Sequence, residues 1–205
     1  MGMNKSKPKS LEEKKTSINF VGGVVLTGPK GVGKRTFMKK FCGQEFGNCT
    51  GLEAEVKLEG GRTCTFSIAF VSDLDVYHDF VRYVNEICIP FARIILLTYS
   101  VTDRESFEEK LPGIRQRILE LRKKSPIRKG DKSAQPPPFV LVGLKCDAEE
   151  QRVVSTKEGA KRAKEWGGIP FVEMSTQAGI NDTKLFEQIL SLEVSLRDSE
   201  KRGRR

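Results

Sequence analysis

An α/β fold, built on a doubly wound and mostly parallel six-stranded sheet with helices on both faces, is predicted by three observations. Apolar segments of strand length alternate with helical patterns along most of the 205 residues, as in sheets whose strands are joined by helices. Residues 94–101 (IILLTYSV) are a continuous apolar run, typical of a central parallel strand buried on both faces. Polar motifs directly follow several predicted strands, at the carboxyl edge where such sheets bind ligands.

The first predicted elements surround a glycine-rich loop. A β-branched apolar run at 18–28 predicts a strand that ends in this loop. The helix that follows, at about 34–42, places Phe37 and Phe41 one turn apart, facing the sheet. Residues 56–71 read as two strands around a Gly-Gly turn, which predicts a β-hairpin.

Helices and strands alternate in the rest of the chain. A helix is expected around 75–88. Another begins at a capping box of Thr102 and Glu105 and presents one apolar face, formed by Phe107, Leu111, Ile114, Ile118 and Leu121. The remaining elements are a strand at 139–147, a helix from a capping box of Ser155 and Glu158 to Trp166, a strand at 169–175 and a helix at about 182–198.

Length and composition favour one soluble globular domain. Hydrophobic residues make up 38% and charged residues 31% of the chain, and no apolar run approaches the roughly 18 residues that suggest a membrane span. We expect the domain at residues 17–198, between a disordered basic segment at 1–16 and a basic tail at 199–205. Residues 125–138, rich in Pro and Lys, are expected to be a mobile insert.

The net charge of +9 is concentrated in three segments. Residues 1–16 hold five lysines against two glutamates, residues 197–205 five basic against two acidic residues, and residues 122–132 six basic residues against one aspartate. Because the body of the chain is nearly neutral, we expect no nucleic-acid groove across the core. The basic segments fit contact with anionic lipid or an acidic partner, and equally a solvated, flexible surface.

The cysteines and the histidine do not indicate a metal site. There are five cysteines, no CxxC spacing and a single histidine, which argues against a Cys/His centre. We interpret the cysteines as reduced thiols of a cytosolic protein.

Residues 28–34, GPKGVGK, have the spacing of a phosphate-binding loop. Gly28, Gly31 and Gly33 allow the backbone to curl close to a phosphate, which would face loop N–H groups and the amino end of the next helix. Lys34 would reach the terminal phosphates. The alternative is a glycine-rich turn that holds no ligand.

The order of the motifs resembles that of Ras-superfamily small GTPases from about Asn19 to Leu196: GPKGVGK, the hairpin, SFEE at 106–109, VLVGLKCD at 140–147 and IPFVEMST at 169–176. The resemblance implies a Ras-like P-loop NTPase fold and binding of GTP or GDP. It assigns Asp147 to the guanine ring and Lys145 to the base and ribose.

The resemblance also implies a full set of nucleotide-binding positions. They lie in the phosphate loop and the start of its helix, at an aromatic position beside the base, and in two base-recognition loops: Gly28, Lys30, Gly31, Val32, Gly33, Lys34, Arg35, Thr36, Phe46, Lys145, Asp147, Ser175 and Thr176. The guanine motif departs from the family at Leu144, which replaces an amide.

Other departures concern hydrolysis. Arg35 replaces the family's metal-binding hydroxyl, and Phe70 stands where the acid that orders magnesium is expected. Asp73 replaces the phosphate-sensing glycine, and Leu74 replaces the water-orienting glutamine. Because hydrolysis in this family depends on positioning and charge stabilisation around magnesium, we expect no catalytic residues, no protein ligands to a metal, and little or no GTP hydrolysis.

Two interpretations of Arg35 stay open. Its guanidinium could replace the charge lost with the metal and bind phosphate oxygens, so that magnesium is not required; or it turns outward from an empty site. The chain is accordingly a guanine-nucleotide-binding signalling or trafficking protein with slow or absent hydrolysis, or a pseudo-GTPase that acts as a protein-interaction scaffold. A P-loop kinase or ATPase is disfavoured, because it would need a hydroxyl after Lys34 and acidic metal ligands.

The first six residues, MGMNKS, match the pattern for N-myristoylation at Gly2. Five lysines follow within residues 5–15, and an acyl chain with a polybasic segment would give peripheral contact with an anionic membrane. A chance match is the alternative. We otherwise expect a cytoplasmic protein with a protein effector of a kind that the motifs do not specify.

Overall fold

A computed structural model describes residues 20–43, 52–71, 88–124 and 137–203. In these ranges strands and helices alternate as predicted: β1 Phe20–Thr27, α1 Lys34–Cys42, β2 Leu52–Lys57, β3 Thr63–Val71, β4 Ile94–Ser100, α2 Leu111–Lys124, β5 Phe139–Leu144, α3 Thr156–Glu165, β6 Phe171–Met174 and α4 Asp182–Gly203. A one-turn helix, Ile89–Phe91, precedes β4, and a π-helical turn, Ser106–Lys110, leads into α2.

The six strands form one sheet in the order β2-β3-β1-β4-β5-β6. Only the β2–β3 pairing is antiparallel within this sheet, so the predicted mostly parallel sheet and its hairpin are confirmed. The chain adds β3 on one side of β1 and β4 on the other, which creates a topological switch point beside β1. Ligands bind at the carboxyl ends of the strands around such points.

One apolar core lies between the sheet and helices α1 and α4. Phe186 of α4 contacts the rings of Phe37, Phe41 and Phe66, with centroid separations of 6.1, 4.9 and 4.8 Å. Phe37 is fully buried and Phe41 packs against the same cluster, so the predicted inward face of α1 is confirmed. This aromatic cluster holds α1, and with it the end of the phosphate loop, on the sheet.

A second core lies on the opposite face, beneath α2 and α3. Every residue of β4 and β5 is buried, as expected of central strands, and the predicted apolar face of residues 107–121 packs here. Tyr99 fits because Gly143 and Gly159 leave room: a Cβ at either glycine would come within 2.9 Å of the tyrosine hydroxyl.

The capping box that begins α3 is confirmed. Ser155 Oγ accepts a hydrogen bond from Glu158 N at 3.3 Å, and Glu158 Oε2 accepts one from Ser155 N at 2.8 Å. Two otherwise unpaired helix donors are thereby satisfied.

The capping box predicted for Thr102 and Glu105 is wrong. Asp103 caps this helix, because its Oδ1 accepts from Ser106 N at 3.1 Å. The Thr102 hydroxyl bonds to that of Ser100 at 2.8 Å. With Thr102 engaged at the end of β4, the neighbouring carboxylate receives the helix N–H group.

Several element ends differ from the prediction: β5 ends at Leu144 instead of 147, β6 spans Phe171–Met174 instead of 169–175, and the largest differences are in β2 and α4. β2 begins at Leu52, earlier than the predicted start at 56, because β3 is long enough to pair with it up to Ile68. α4 continues beyond 198 to Gly203, so most of the predicted basic tail is helical. Arg93, before β4, donates to Glu193 and Glu200 at 3.0 and 2.9 Å and holds the last turns of α4 in place.

Several predicted segments lie outside the described residues: the basic segment at 1–16, the helix around 75–88, and residues 125–136 of the insert. In the part of the chain that is described, no helix is both long and apolar enough to cross a membrane.

Candidate nucleotide-binding site

Three loops meet at the carboxyl edge of the sheet. They follow β1 (residues 28–33), β5 (residues 145–152) and β6 (residues 175–181). Lys145 Nζ donates to Gly31 O at 3.0 Å across 114 positions of sequence. Cys146 N donates to Met174 O at 3.3 Å. The predicted convergence of the three motifs is therefore present.

The backbone favours glycine at three positions of the phosphate loop. At Gly28 a Cβ would overlap the carbonyl and hydroxyl oxygens of Thr98, whose hydroxyl in turn donates to Thr27 O at 2.9 Å. At Gly33, where the loop turns into α1, φ is 116°, a value that disfavours side chains. At Gly31 φ is 83°, which also favours glycine, but a Cβ there would meet nothing within 4 Å, so the crest of the loop faces open space.

Lys34 lies inside the loop. Its side chain donates to the carbonyls of Gly28 and Pro29 at 2.5 and 2.6 Å, and the residue is only 5% exposed. An ammonium group is thus held beneath the crest, where it can act on an anion bound above. Val32 is buried, and Lys30 is exposed on the rim.

The loop after β5 presents the guanine-motif residues. Lys145 adopts φ 66°, uncommon for a residue with a side chain, and its ammonium lies across the phosphate loop. Ala148 N donates to Lys145 O at 3.0 Å, which closes a turn with Asp147 exposed at its end. Leu144 is buried in the core, and its Cδ1 lies 3.6 Å from the position of a Cβ on Gly33, so packing replaces the polar contacts of an amide.

The loop after β6 is fixed by its own backbone. Ser175 exchanges backbone hydrogen bonds of 3.1 Å with Ile180, and its hydroxyl accepts from Ala178 N at 3.0 Å. Thr176 O accepts from Lys40 of α1 at 2.8 Å. Both predicted residues are buried.

A comparison with known protein families adds to this geometry. The Ras family matches over residues 23–194, which is most of the chain. The chain belongs to the Ras family. It is therefore a small GTPase-like protein, and membership implies guanine-nucleotide binding. The phosphate loop fits such a ligand: a Cβ at Gly28 would collide with Thr98, the crest at Gly31 is open, and Lys34 supplies a buried cation.

The magnesium position of this Ras-family protein does not fit the metal. Mg²⁺ prefers oxygen ligands, but the first turn of α1 presents an exposed Arg35 and has no acidic residue. Phe70, near the end of β3 and paired with Leu26 of β1, stands where the acid is expected. Within the described ranges, no group of three or more His, Cys, Asp or Glu could hold a metal.

An ion pair that the sequence did not predict supports the base-recognition loops. Arg152 donates through both terminal nitrogens to the carboxylate of Glu173, at 3.0 and 3.1 Å. The side chains are only 14% and 10% exposed, and Thr156 Oγ1 also donates to Glu173 at 2.9 Å. A signal existed, because Glu173 is the single charged residue in the apolar strand 169–175 and a buried charge needs a partner.

A second tie joins α1 to the loop after β6. Lys40 forms an ion pair with Asp182, the first residue of α4, in addition to its bond to Thr176 O. The sequence prediction missed this contact, because the partners are 142 positions apart. Four predicted residues lie outside the described part of the chain: Gly2, Phe46, Asp73 and Leu74.

Proposed function

We propose that this Ras-family protein binds guanine nucleotide without requiring magnesium and hydrolyses GTP very slowly or not at all. The replacement of both metal-ligand positions, by Arg35 and Phe70, carries the proposal. Water can replace one lost ligand, but a metal without both has only phosphate and solvent oxygens. The cationic side chains of Lys30, Lys34 and Arg35 would also repel a divalent cation.

The roles of individual residues follow from their places at the site. The backbone N–H groups of residues 30–34, at the crest of the loop and the amino end of α1, would donate hydrogen bonds to the phosphates, with Lys34 as a buried charge beneath them. Arg35 would supply a guanidinium fork for phosphate oxygens. The Asp147 carboxylate would accept hydrogen bonds from the N–H groups of the guanine base.

The test is a titration of fluorescently labelled GTP in magnesium or in EDTA, with native protein and Arg35→Ser, which restores a hydroxyl. We expect EDTA to leave the native affinity nearly unchanged and to weaken binding to Arg35→Ser. Incubation with GTP over hours should yield negligible GDP from the native protein. If EDTA strips nucleotide equally from both proteins, Arg35 does not stand in for the metal.

A nucleotide-free scaffold is the second candidate. One observation favours it: Lys34 already bonds to the carbonyls of Gly28 and Pro29, so the loop has internal support for its shape. Chromatography of nucleotides released from the denatured protein, together with the thermal unfolding midpoint with and without GTP, separates the two. A bound ligand raises that midpoint; an unchanged midpoint and no released nucleotide would favour the scaffold.

Membrane contact is a separate proposal for this protein, which we otherwise place in the cytoplasm. It is supported by the pattern at Gly2 and the lysines within residues 5–15. Protein made with a myristoyltransferase should partition to anionic vesicles, and Gly2→Ala should stay in solution. Equal partitioning of both proteins would exclude the acyl chain, and insensitivity to salt would exclude the lysines.

A further inference from the structure

The single tryptophan of the chain, Trp166, lies on the side of the molecule away from the three loops. It follows α3, and its backbone N–H donates to Arg162 O at 3.0 Å. Since α3 begins beside the loop 145–152, its other end reaches the amino edge of the sheet, near the first residue of β5, Phe139. A ligand there would leave the nucleotide site free.

Two guanidinium groups flank the indole ring. Arg115 Cζ of α2 lies 5.1 Å from the ring centroid of Trp166 and 5.6 Å from that of Phe139. Arg162 Cζ lies 5.6 Å from Trp166 and 4.6 Å from Phe107. We call these five residues the Arg-Trp patch. Trp166 and both arginines are partly exposed, so the patch is accessible from solvent.

Among the described residues, no acid forms an ion pair with Arg115. Its Nε is buried and has no hydrogen-bond partner in the described part of the chain, and burial lowers the pKa of the guanidinium. Arg162 differs, because it donates to Phe107 O at 3.2 Å and pairs with Glu165 at 3.6 Å. An arginine stacked on aromatic rings keeps its planar fork fixed in orientation, which suits recognition of a carboxylate.

The surface around the patch is strongly basic. Helices α2 and α3 contain nine basic residues against three acidic ones, whereas α4, on the opposite face of the sheet, contains four against five. The exposed basic residues of α3 include Lys161 and Lys164. The two helices that carry Arg115 and Arg162 therefore have a positive excess, although Glu108 and Glu109 lie in the turn that carries Phe107. That excess would attract an acidic partner.

We propose that the Arg-Trp patch docks an acidic segment of a partner protein, with carboxylates on Arg115 and Arg162 and an apolar side chain on Trp166. Tryptophan and arginine dominate the energetics of protein interfaces, and guanidinium forks bind carboxylates in pairs. An anionic lipid surface would be attracted by the same charges, and the test below separates it from a peptide.

Trp166 is also the reporter for the test, because no other tryptophan contributes to the fluorescence. The probe is a short peptide of glutamates around one phenylalanine, and its control carries glutamines in place of the glutamates. Added to the full-length protein, the acidic peptide should change the emission saturably and the control should not. Calorimetry supplies an affinity that is independent of any change in the indole environment.

Two variants of α2 decide whether the patch is a site. Arg115→Gln should weaken peptide binding by about tenfold or more, as expected when one partner of a charge pair is removed. Arg117→Gln removes the same charge from an exposed position of the same helix and should cost about twofold at most. Circular dichroism should show both variants folded; if Arg115→Gln unfolds, Arg162→Gln replaces it in the comparison.

Three results would overturn the proposal. Equal losses in the two variants would mean diffuse attraction to a basic surface. Absence of peptide binding at millimolar concentration would mean that the patch only covers the core beneath it. A Trp166 response to phosphatidylserine vesicles, without one to the peptide, would assign the surface to a membrane. None of these outcomes changes the expectation for GTP, which binds at the opposite edge.

Discussion

The loops that would hold the base and the loop that would hold the phosphates are stabilised in different ways. In addition to their own backbone bonds, the base-recognition loops are supported by ion pairs between side chains, Arg152 with Glu173 and Lys40 with Asp182. The phosphate loop instead accepts hydrogen bonds at its backbone carbonyls from two lysine side chains, from Lys34 at Gly28 and Pro29 and from Lys145 at Gly31.

The chemistry of the two regions differs as well. The base side keeps an exposed carboxylate at Asp147, whereas the phosphate side has cations at Lys30 and Arg35 and no oxygen ligand at either metal position of the family. Recognition of a base needs fixed hydrogen-bonding groups, and hydrolysis needs a metal and an oriented water. These requirements depend on different loops, so one can be lost while the other is kept.

The largest expected effect is on recognition of the base alone. Asp147→Asn exchanges a charged acceptor for an amide that can also donate, and hydrogen bonds to charged groups are worth about 1.5–3 kcal/mol each. The preference for GTP over XTP should therefore fall or invert by about a hundredfold. Competition of both nucleotides against labelled GTP measures this ratio.

A matched control tests whether charge alone is responsible. Glu150→Gln removes an exposed acid three residues further along the chain and should leave the ratio of GTP to XTP affinity unchanged. An unaltered ratio in Asp147→Asn would contradict the assignment of Asp147 to guanine.

The next largest effect is on binding of the phosphates. Loss of a charge-assisted contact to phosphate should weaken GTP binding by Arg35→Ala by about tenfold or more, with little change in the preference for guanine. Lys39→Ala, which removes an exposed charge one turn further along α1, is the control and should have a much smaller effect. Affinities for GTP and GDP, measured in EDTA, provide the comparison. Equal losses of affinity in both variants would mean that Arg35 acts only through the overall positive potential of the surface, without a direct contact to phosphate.

The sequence predicts the site and the fold well wherever the signal is local. The spacing of glycines in residues 28–33, the apolar run of β4 and the capping box of Ser155 and Glu158 each depend on neighbouring residues, and all are found in the structure. The wrong capping box at Thr102 shows the limit, because the neighbouring Asp103 satisfies the same helix end equally well on sequence grounds.

Long-range pairs account for most of what the sequence did not predict. The bonds from Lys145 to Gly31 and from Arg152 to Glu173 join residues 114 and 21 positions apart, and no periodicity relates such partners. The extra turn of α4 has the same origin, since Arg93 holds it through Glu200, 107 positions away. Such contacts follow from the sheet order, which propensity alone does not determine.

A smaller effect tests whether the Arg152–Glu173 pair positions the base loops. Neither side chain is assigned to the nucleotide, so Arg152→Gln should weaken GTP binding by only about threefold, as expected of effects carried through packed networks, typically ~0.5–2 kcal/mol. Glu173→Gln should do the same, and the double variant should be no worse than either single one. Additive losses would show that the two residues act separately.

The smallest effect concerns the first turn of α3. Hydrogen bonds from Arg104 and Ser155 stabilise the charged carboxylate of Glu158 and lower its pKa to about 2. A carboxyl with a lowered folded-state pKa stabilises the fold above its unfolded pKa, near 4.3, and loses that contribution as the pH falls toward 2. Glu158→Gln should therefore lower the unfolding midpoint by about 2 °C at pH 7, a difference that shrinks between about pH 4.3 and pH 2. Its affinity for GTP should not change, since the cap supports α3 and contacts no residue assigned to the nucleotide; a midpoint difference that persists at low pH would mean that Glu158 acts by packing rather than by charge.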